Sequence, residues 1–191
     1  MPQDGTLDQE LEEAFDRAVE AFRDSGAAYA LIGGFAVAVH GLPRPTRDID
    51  FLIHVPRIAI PKLLEKLLDR GFTFQLTDVI KRLGESHLAE IRYAGVRVDL
   101  LDAAPLPLFQ RMVERGKEHT IRGHQVRVAT PEDLIALKMI ACREDDIRDV
   151  RAILAAQGKN LDLEAVRRTL RECCDESRVH ELDRLVERGG A

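Results

Sequence analysis

Apolar residues near the start of the chain recur at three- and four-residue intervals, which is the spacing of one face of an α-helix. They are Leu7, Leu11, Phe15, Val19 and Phe22. Ser25 and Gly26 interrupt the pattern, and glycine is a common helix terminator. The chain is therefore predicted to open with an amphipathic helix that buries one face.

Short apolar runs after this helix predict strands that alternate with turns and further helices. The predicted order is a strand at 29–32, a turn at Gly33 and Gly34, a helix at 35–40, a strand at 48–54, a helix at 62–70, a strand at 72–75 and a loop at 77–85. Two hairpins follow, one with strands at 87–93 and 96–101 around Ala94 and Gly95, the other with strands at 120–121 and 125–128 across Gly123.

From residue 130 onward the pattern is helical. Thr130 is an N-cap residue and Pro131 takes the first helical position, where its missing N–H costs nothing. The four predicted helices lie at 131–142, 145–157, 163–175 and 177–188. The order of elements predicts an α/β (α+β) fold. We expect a mixed-sheet core with its N-terminal helix at 1–128 and a C-terminal helical subdomain packed on it at 129–191.

Composition narrows the classes of protein. A net charge of −5 argues against a protein that coats nucleic acid through bulk positive charge, although a local basic patch is compatible with it. Three cysteines, two of them adjacent, suit neither a disulfide framework nor a zinc site. The start of the chain lacks an export signal, and the longest apolar segment, 27–39, is too short to span a bilayer. We therefore expect a soluble cytoplasmic protein without a membrane partner.

Two aspartates, Asp48 and Asp50, stand one residue apart on a predicted strand. Side chains alternate along a strand, so both carboxylates share one face about 7 Å apart. Asp99 adds a third acid inside an apolar run, where a charge is costly unless it is paired. Such carboxylates can converge on two divalent ions and support phosphoryl transfer. The alternatives are an ordinary strand-end aspartate at Asp99 and a rival acid, Asp102, on the opposite strand face.

The predicted turn at Gly33 and Gly34 joins a strand to a helix. Backbone N–H groups at the start of a helix have no intrahelical partner and can face an anion such as a triphosphate. Alone, a glycine pair at such a place is often only a tight turn. The nearby acids favour the phosphate-binding interpretation.

The order of these residues resembles the signature of the nucleotidyltransferase superfamily, with the DNA polymerase beta type of core. That signature is a Gly-Gly or Gly-Ser turn, then Asp-x-Asp or Asp-x-Glu, and a later Asp. A finer pattern resembles the AbiEii-like branch of bacterial toxin–antitoxin nucleotidyltransferases and covers residues 29–154. Its members here are Gly33, Gly34, Ala36, His40, Arg44, Thr46, Asp48, Asp50, Leu137, Lys138 and Arg143, with Asp99 as the later acid.

The resemblance implies a mixed-sheet nucleotidyltransferase core and two Mg²⁺ ions held by Asp48, Asp50 and Asp99. It implies that a nucleoside triphosphate (NTP) donates its nucleoside monophosphate to an acceptor hydroxyl, with Asp99 accepting the hydroxyl proton. It also implies that the acceptor is RNA, such as a tRNA end, and that the chain is a toxin restrained by a cognate antitoxin. The alternatives are a small-molecule acceptor such as an aminoglycoside, and a nucleotide-binding module without turnover.

Several further residues are candidates for nucleotide binding. Lys138 is the one cation in an otherwise apolar predicted helical stretch. It could pair with Asp146 or Asp149 or neutralise nucleotide phosphate, and these uses can coexist.

Arg44, Thr46 and Arg47 precede the acids and are predicted to contact the nucleotide, although the arginines could simply be solvated and Thr46 could simply fix the turn. Arg143 is a supporting residue together with Asp146 and Asp149. The roles of His40 and His87 stay open.

Overall fold

The computed structural model describes residues 4–41 and 45–189. Within them, the helices are α1 (Asp4–Ser25), α2 (Gly33–His40), α3 (Ile60–Asp69), α4 (Leu76–Glu85), α5 (Pro107–Arg115), α6 (Pro131–Ala141), α7 (Glu144–Gln157), α8 (Leu163–Cys173) and α9 (Glu176–Gly189). The strands are β1 (Ala28–Ile32), β2 (Asp48–His54), β3 (Leu88–Tyr93), β4 (Val96–Asp102), β5 (Lys117–Ile121) and β6 (His124–Val128). The predicted α/β class is confirmed.

The strands form one mixed sheet in the order β3-β4-β2-β1-β6-β5. At its centre, β1 pairs antiparallel with β2 and parallel with β6, while β2 pairs parallel with β4. The outer pairs are antiparallel hairpins, as predicted. Each hairpin turns through two residues with positive φ, Ala94 and Gly95 in the first and Arg122 and Gly123 in the second. Turns of this kind match the twist of the flanking strands.

Helix α1 confirms the predicted amphipathic helix. Phe15, Ala18 and Phe22 on its inner face are at most 1% exposed. The helix ends at Gly26, whose φ is 73° and whose N–H donates to the Phe22 carbonyl oxygen at 3.0 Å. Glycine adopts this left-handed conformation at little cost, so the chain can turn sharply into β1.

Two of the predictions for this part of the chain are wrong, and two helices, α4 and α5, were missed. Residues 77–85 form most of α4 rather than a loop, because Val79 and Leu83, four positions apart, are buried on one side of a helix. Residues 72–75 form no strand, since Thr73 makes a single bridge to Arg92. Helix α5 was not predicted. In both missed helices a narrow apolar stripe is interrupted by charged residues, and burial in the tertiary structure decides the conformation.

Helices α2 and α6 to α9 pack together. Helix α6 begins as predicted, with the Thr130 side chain accepting a hydrogen bond from the Asp133 N–H at 3.2 Å. Helix α2 packs against α6 and α7. At its end, a Cβ on Gly41 would lie 3.0 Å from the Val37 carbonyl oxygen and 3.3 Å from the backbone of Ala152. A larger residue at position 41 would push α2 and α7 apart.

The chain divides into two compact units. Unit 1 comprises Met1–Ile32 and Thr46–Val128, and unit 2 comprises Gly33–Pro45 and Ala129–Ala191. The predicted division into domains between residues 128 and 129 stays a prediction. The two units differ from that division because α2 belongs to the same unit as the C-terminal helices. None of the helices in the described ranges is long and apolar enough to cross a membrane.

Candidate active site

The three predicted acids lie on neighbouring strands of unit 1. Asp48 and Asp50 are half-buried on β2 and alternate with the fully buried Ile49 and Phe51. The parallel register of β2 and β4 places Asp50 beside Asp99. Paired positions on neighbouring strands face the same side of a sheet. The structure therefore brings the three carboxylates to one face, and their catalytic role stays a prediction.

Arg97 belongs to the same group of charges and was missed from the sequence. The register places it beside Asp48, and its guanidinium forms an ion pair with that carboxylate. Its Nε also lies 3.5 Å from an Asp99 carboxylate oxygen. The signal was available, because residues 96–99 read Val-Arg-Val-Asp and a strand places the two charged residues on one face.

The loop before β2 supports Asp48. The Thr46 hydroxyl lies 3.2 Å from a carboxylate oxygen of Asp48 and 3.1 Å from its carbonyl oxygen, so it can donate to either. Thr46 therefore fixes the turn, which is one of the two roles that the sequence left open for it. Its contact with a nucleotide stays a prediction. Arg47 is exposed. The predicted nucleotide ligand Arg44 lies outside the described residues.

Burial and neighbouring charges perturb two groups at this site. Burial raises the pKa of Asp99, and together with the negative charges of Asp48 and Glu90 it outweighs the opposing effect of Arg97 and Arg92. Burial opposes the charge on Arg97, but Asp99, Asp48 and Asp50 outweigh it and raise the pKa of the guanidinium. A carboxyl group with a raised pKa is better suited to accept a proton than an ordinary surface aspartate.

The raised pKa of Asp99 predicts a pH dependence of stability without metal. A raised pKa means that the folded state binds the proton more tightly than the unfolded state, so this stabilisation is complete below the ordinary value of 3.8. It is lost as the pH rises through the raised pKa. Urea unfolding in chelator-treated buffer should show wild type losing stability relative to Asp99→Asn over that range. A difference that stays constant with pH contradicts this prediction.

The donor chemistry of the site suits a divalent cation. Carboxylate oxygens are the ligands that Mg²⁺ prefers. Within the described part of the chain, no three His, Cys, Asp or Glu side chains are gathered closely enough to hold a metal ion as they stand. Asp48 and Asp99 instead hold the guanidinium of Arg97, which shows that their arrangement attracts positive charge.

Lys138 lies in a buried charge cluster of unit 2. Its Nζ is 2.9 Å from Asp146 and 2.8 Å from Asp149, and both carboxylate side chains are 2% exposed. The Nε of Arg143 also contacts Asp146, at 2.8 Å. The sequence left an ion pair with Asp146 or Asp149 as one alternative for Lys138, and the structure shows both pairs. An ammonium group has three donors, so at most one remains for a phosphate oxygen.

Asp146 links this cluster to the start of α7. Its carboxylate accepts from the backbone N–H of Arg143 at 3.2 Å. Burial alone would raise the pKa of Asp146, but hydrogen bonds from Arg143 and Lys138 outweigh it and hold the pKa below its usual range. Arg143 is therefore a supporting residue in the structural sense, because it orients an acid that binds Lys138.

The glycine turn and His40 belong to unit 2 as well. Gly33 begins α2 directly after β1 and has a φ of 66°, a conformation that glycine tolerates best. Gly34 is buried. At the other end of α2, a ring nitrogen of His40 lies 2.8 Å from the Ala129 carbonyl oxygen, and the Gln157 amide donates to the His40 carbonyl oxygen at 2.7 Å. These contacts give His40 a packing role.

Asp102, the rival acid, serves its own loop. It is 6% exposed and accepts from the Ala104 N–H at 2.9 Å. Nδ1 of His87 lies 3.5 Å from its carboxylate. Three positions separate Asp102 from Asp99, so their side chains face opposite sides of β4. Asp102 therefore does not belong to the group formed by Asp48, Asp50 and Asp99.

Comparison with protein families decides the class of the chain. Residues 17–188 match the family described as nucleotidyl transferase AbiEii toxin, Type IV TA system. The chain belongs to the AbiEii nucleotidyltransferase family. The match covers most of both units of this AbiEii protein and extends beyond the residues that carry the resemblance in sequence. The predicted enzyme class is confirmed.

Solved structures share the fold of this AbiEii protein. An antigenic nucleotidyltransferase-like protein from Paracoccidioides brasiliensis is 19% identical, with a TM-score of 0.50 and 92% of each chain covered. ANT(2'')-Ia in complex with adenylyl-2''-tobramycin is 15% identical, with a TM-score of 0.56 over 83% of this chain and 95% of that chain. The lincosamide antibiotic adenylyltransferase LnuA, bound to lincomycin, is 18% identical, with a TM-score of 0.52 over 74% and 95%. No curated protein matches the chain in sequence.

Proposed function

We propose that this AbiEii protein moves a nucleoside monophosphate from an NTP to an acceptor hydroxyl in a reaction that needs divalent metal ions. One observation carries the proposal. The register of β2 and β4 sets Asp50 beside Asp99, with Asp48 on the same face, in a chain of a nucleotidyltransferase family. Three half-buried carboxylates on one face of paired strands are the proposed oxygen ligands, and their side chains must draw closer together to share an ion.

The three acids have different proposed roles. Asp48 and Asp50 would hold the metal ions, and Asp99 would share in holding one of them. When bound, such ions neutralise phosphate charge and align the attacking and leaving oxygens. The acceptor oxygen bonds to the α-phosphorus, the bond from that phosphorus to the bridging oxygen breaks, and pyrophosphate leaves. Asp99 accepts the hydroxyl proton, a role that requires its carboxylate to lie within hydrogen-bond reach of that hydroxyl.

The residues of unit 2 are proposed to bind phosphate. Backbone N–H groups at Gly33 and Gly34 open α2, where the helix dipole favours an anion. Lys138 could offer its third N–H to a phosphate oxygen while Asp146 and Asp149 hold the other two. Arg44, Thr46 and Arg47, which precede β2 in the sequence, complete the proposed nucleotide ligands.

We infer that the acceptor is RNA, with tRNA as the first candidate, and that the protein is a toxin with a cognate antitoxin. The family description, which names a toxin of a Type IV system, supports the toxin and antitoxin part of this inference, and the RNA acceptor rests on the resemblance in sequence. A net charge of −5 requires that any RNA contact be local. A cytoplasmic location is part of the proposal, and the three free cysteines are consistent with a reducing compartment.

A small-molecule acceptor is the second candidate. Two structures of the same fold were solved with antibiotic-derived ligands, adenylyl-2''-tobramycin in one and lincomycin in the other. The negative net charge of the chain would also favour a cationic aminoglycoside over RNA. Growth arrest on expression supports the toxin, whereas antibiotic resistance supports the small-molecule enzyme.

Pyrophosphate release tests both candidates in one assay. Each of the four ribonucleoside triphosphates is incubated with wild-type protein and Mg²⁺, alone, with bulk tRNA, or with an aminoglycoside. Asp48→Asn is assayed in parallel. Release that requires tRNA and disappears in Asp48→Asn is expected, and it identifies the acceptor class and the preferred nucleotide together.

Other outcomes contradict specific parts of the proposal. Release that requires the aminoglycoside instead overturns the RNA acceptor and leaves the transferase assignment intact. Release retained at the wild-type level in Asp48→Asn overturns the role of the acids. NTP binding without release from any mixture favours a nucleotide-binding module without turnover.

A further inference from the structure

Arg97 occupies a special place in the acid group. It is the register partner of Asp48 on the neighbouring strand and lies two positions before Asp99 on the same strand. Its guanidinium contacts both carboxylates, directly at Asp48 and at 3.5 Å at Asp99. The Arg97 side chain is 42% exposed, whereas that of Asp99 is 16% exposed. The Arg97 side chain is therefore the more exposed partner in its contact with Asp99.

Within the described part of the chain, Arg97 brings a positive charge into contact with both Asp48 and Asp99. On the next strand, Glu90 pairs in register with Asp99 and Arg92 pairs with Arg97. Glu90 and Arg92 form their own ion pair at 2.6 Å, so together they add no net charge. Without Arg97, Asp48 and Asp99 would lose the positive charge that they share, and their mutual repulsion would rise.

We propose that Arg97 holds the position of the divalent cation in the metal-free protein and must leave Asp48 before a metal ion can bind. This inference rests on the proposed function, because it assumes that these acids bind metal. Arg97 contacts one carboxylate oxygen of Asp48, and the Thr46 hydroxyl lies 3.2 Å from the other, so both oxygens already have a partner. A metal ion and the guanidinium at the same carboxylate would be two cations that repel each other. Arg97 thereby stabilises the metal-free site and lowers its metal affinity.

The competition separates this role from a merely structural one. If Arg97 only supported the strands, its removal would disturb the acids and weaken metal binding. If Arg97 competes with the metal, its removal strengthens metal binding and at the same time makes the metal-free protein less stable. The two roles therefore predict changes of opposite sign in the same measurement.

Mn²⁺ binding to the full chain tests the inference, with the free ion followed by electron paramagnetic resonance. Arg97→Met keeps the length of the side chain and removes the charge, and it should bind Mn²⁺ about tenfold more tightly than wild type. In thermal unfolding without metal, Arg97→Met should have a lower midpoint temperature than wild type. Adding Mn²⁺ should raise the midpoint of Arg97→Met by more than it raises that of wild type. Arg82→Met, which changes an exposed arginine of α4, should match wild type in both measurements.

Arg97→Gln provides a second neutral variant with a polar side chain, should the methionine variant fail to fold. It should also bind Mn²⁺ more tightly than wild type. Equal or weaker binding in a folded neutral variant overturns the role of Arg97 and leaves the proposed function standing. If wild type and both Arg97 variants bind Mn²⁺ no more tightly than Asp50→Asn does, the acids do not form a metal site. Both proposals are then overturned.

Discussion

Asp50→Asn is expected to lower kcat/KM for nucleotidyl transfer at least about 1,000-fold, which is about 4 kcal/mol of transition-state stabilisation. Asp50 is the register partner of Asp99 and is two positions from Asp48, so it lies at the centre of the proposed ligand set. An amide oxygen is a weaker ligand than a carboxylate and carries no charge to offset that of a divalent ion. The measurement is pyrophosphate release at saturating Mg²⁺.

The same substitution should leave the fold intact. Asp50 is one of three carboxylates on this face of the sheet, and like charges on one face repel one another. Replacing one of them removes this repulsion, so the unfolding midpoint without metal should stay the same or rise. Asp69→Asn, an exposed surface change on α3, should leave both activity and stability at wild-type values. An Asp50→Asn protein that is folded and fully active would refute the assignment of the acids.

Lys138→Met is expected to destabilise the protein by about 3–5 kcal/mol, because it leaves two buried carboxylates without their common partner. The Lys138 side chain is 11% exposed, and those of Asp146 and Asp149 are 2% exposed. Methionine fills a similar volume, so the loss reflects charge rather than a cavity. Urea unfolding at neutral pH without nucleotide measures it.

A second substitution tests whether buried charge causes the loss. Lys138→Met leaves two buried carboxylates behind, and Asp149→Asn removes the charge of one of them. The double variant with Lys138→Met and Asp149→Asn should therefore recover part of the lost stability. Lys159→Met, an exposed change, should have little effect. A Lys138→Met protein as stable as wild type would show that the ion pairs contribute nothing to the fold.

The grouping of the acids was largely predictable from the sequence. Alternation along a strand places Asp48 and Asp50 on one face, and the apolar run around Asp99 predicts a second strand. Both expectations depend on local periodicity, which is visible in the residues themselves. The helices of unit 2 were predictable for the same reason, because their apolar residues recur at helical spacing and Thr130 and Pro131 mark the start of α6.

Arg97 shows where that reasoning ends. Its sequence neighbours indicate only that it shares a face with Asp99. Its ion pair with Asp48 depends on which strand lies beside β4 and in which register, and almost fifty residues separate the two partners in the chain. A shift of the register by one residue would turn these side chains to opposite faces.

The sequence by itself determined the type of most elements, the face on which the acids stand and the need of Lys138 for an anionic partner. Each follows from local spacing or from the cost of burying a charge. Only the tertiary structure decided that Arg97 meets Asp48, that both Asp146 and Asp149 bind Lys138, and that α2 packs with the C-terminal helices. These contacts join residues distant in sequence, and only the packing of whole elements selects the partners.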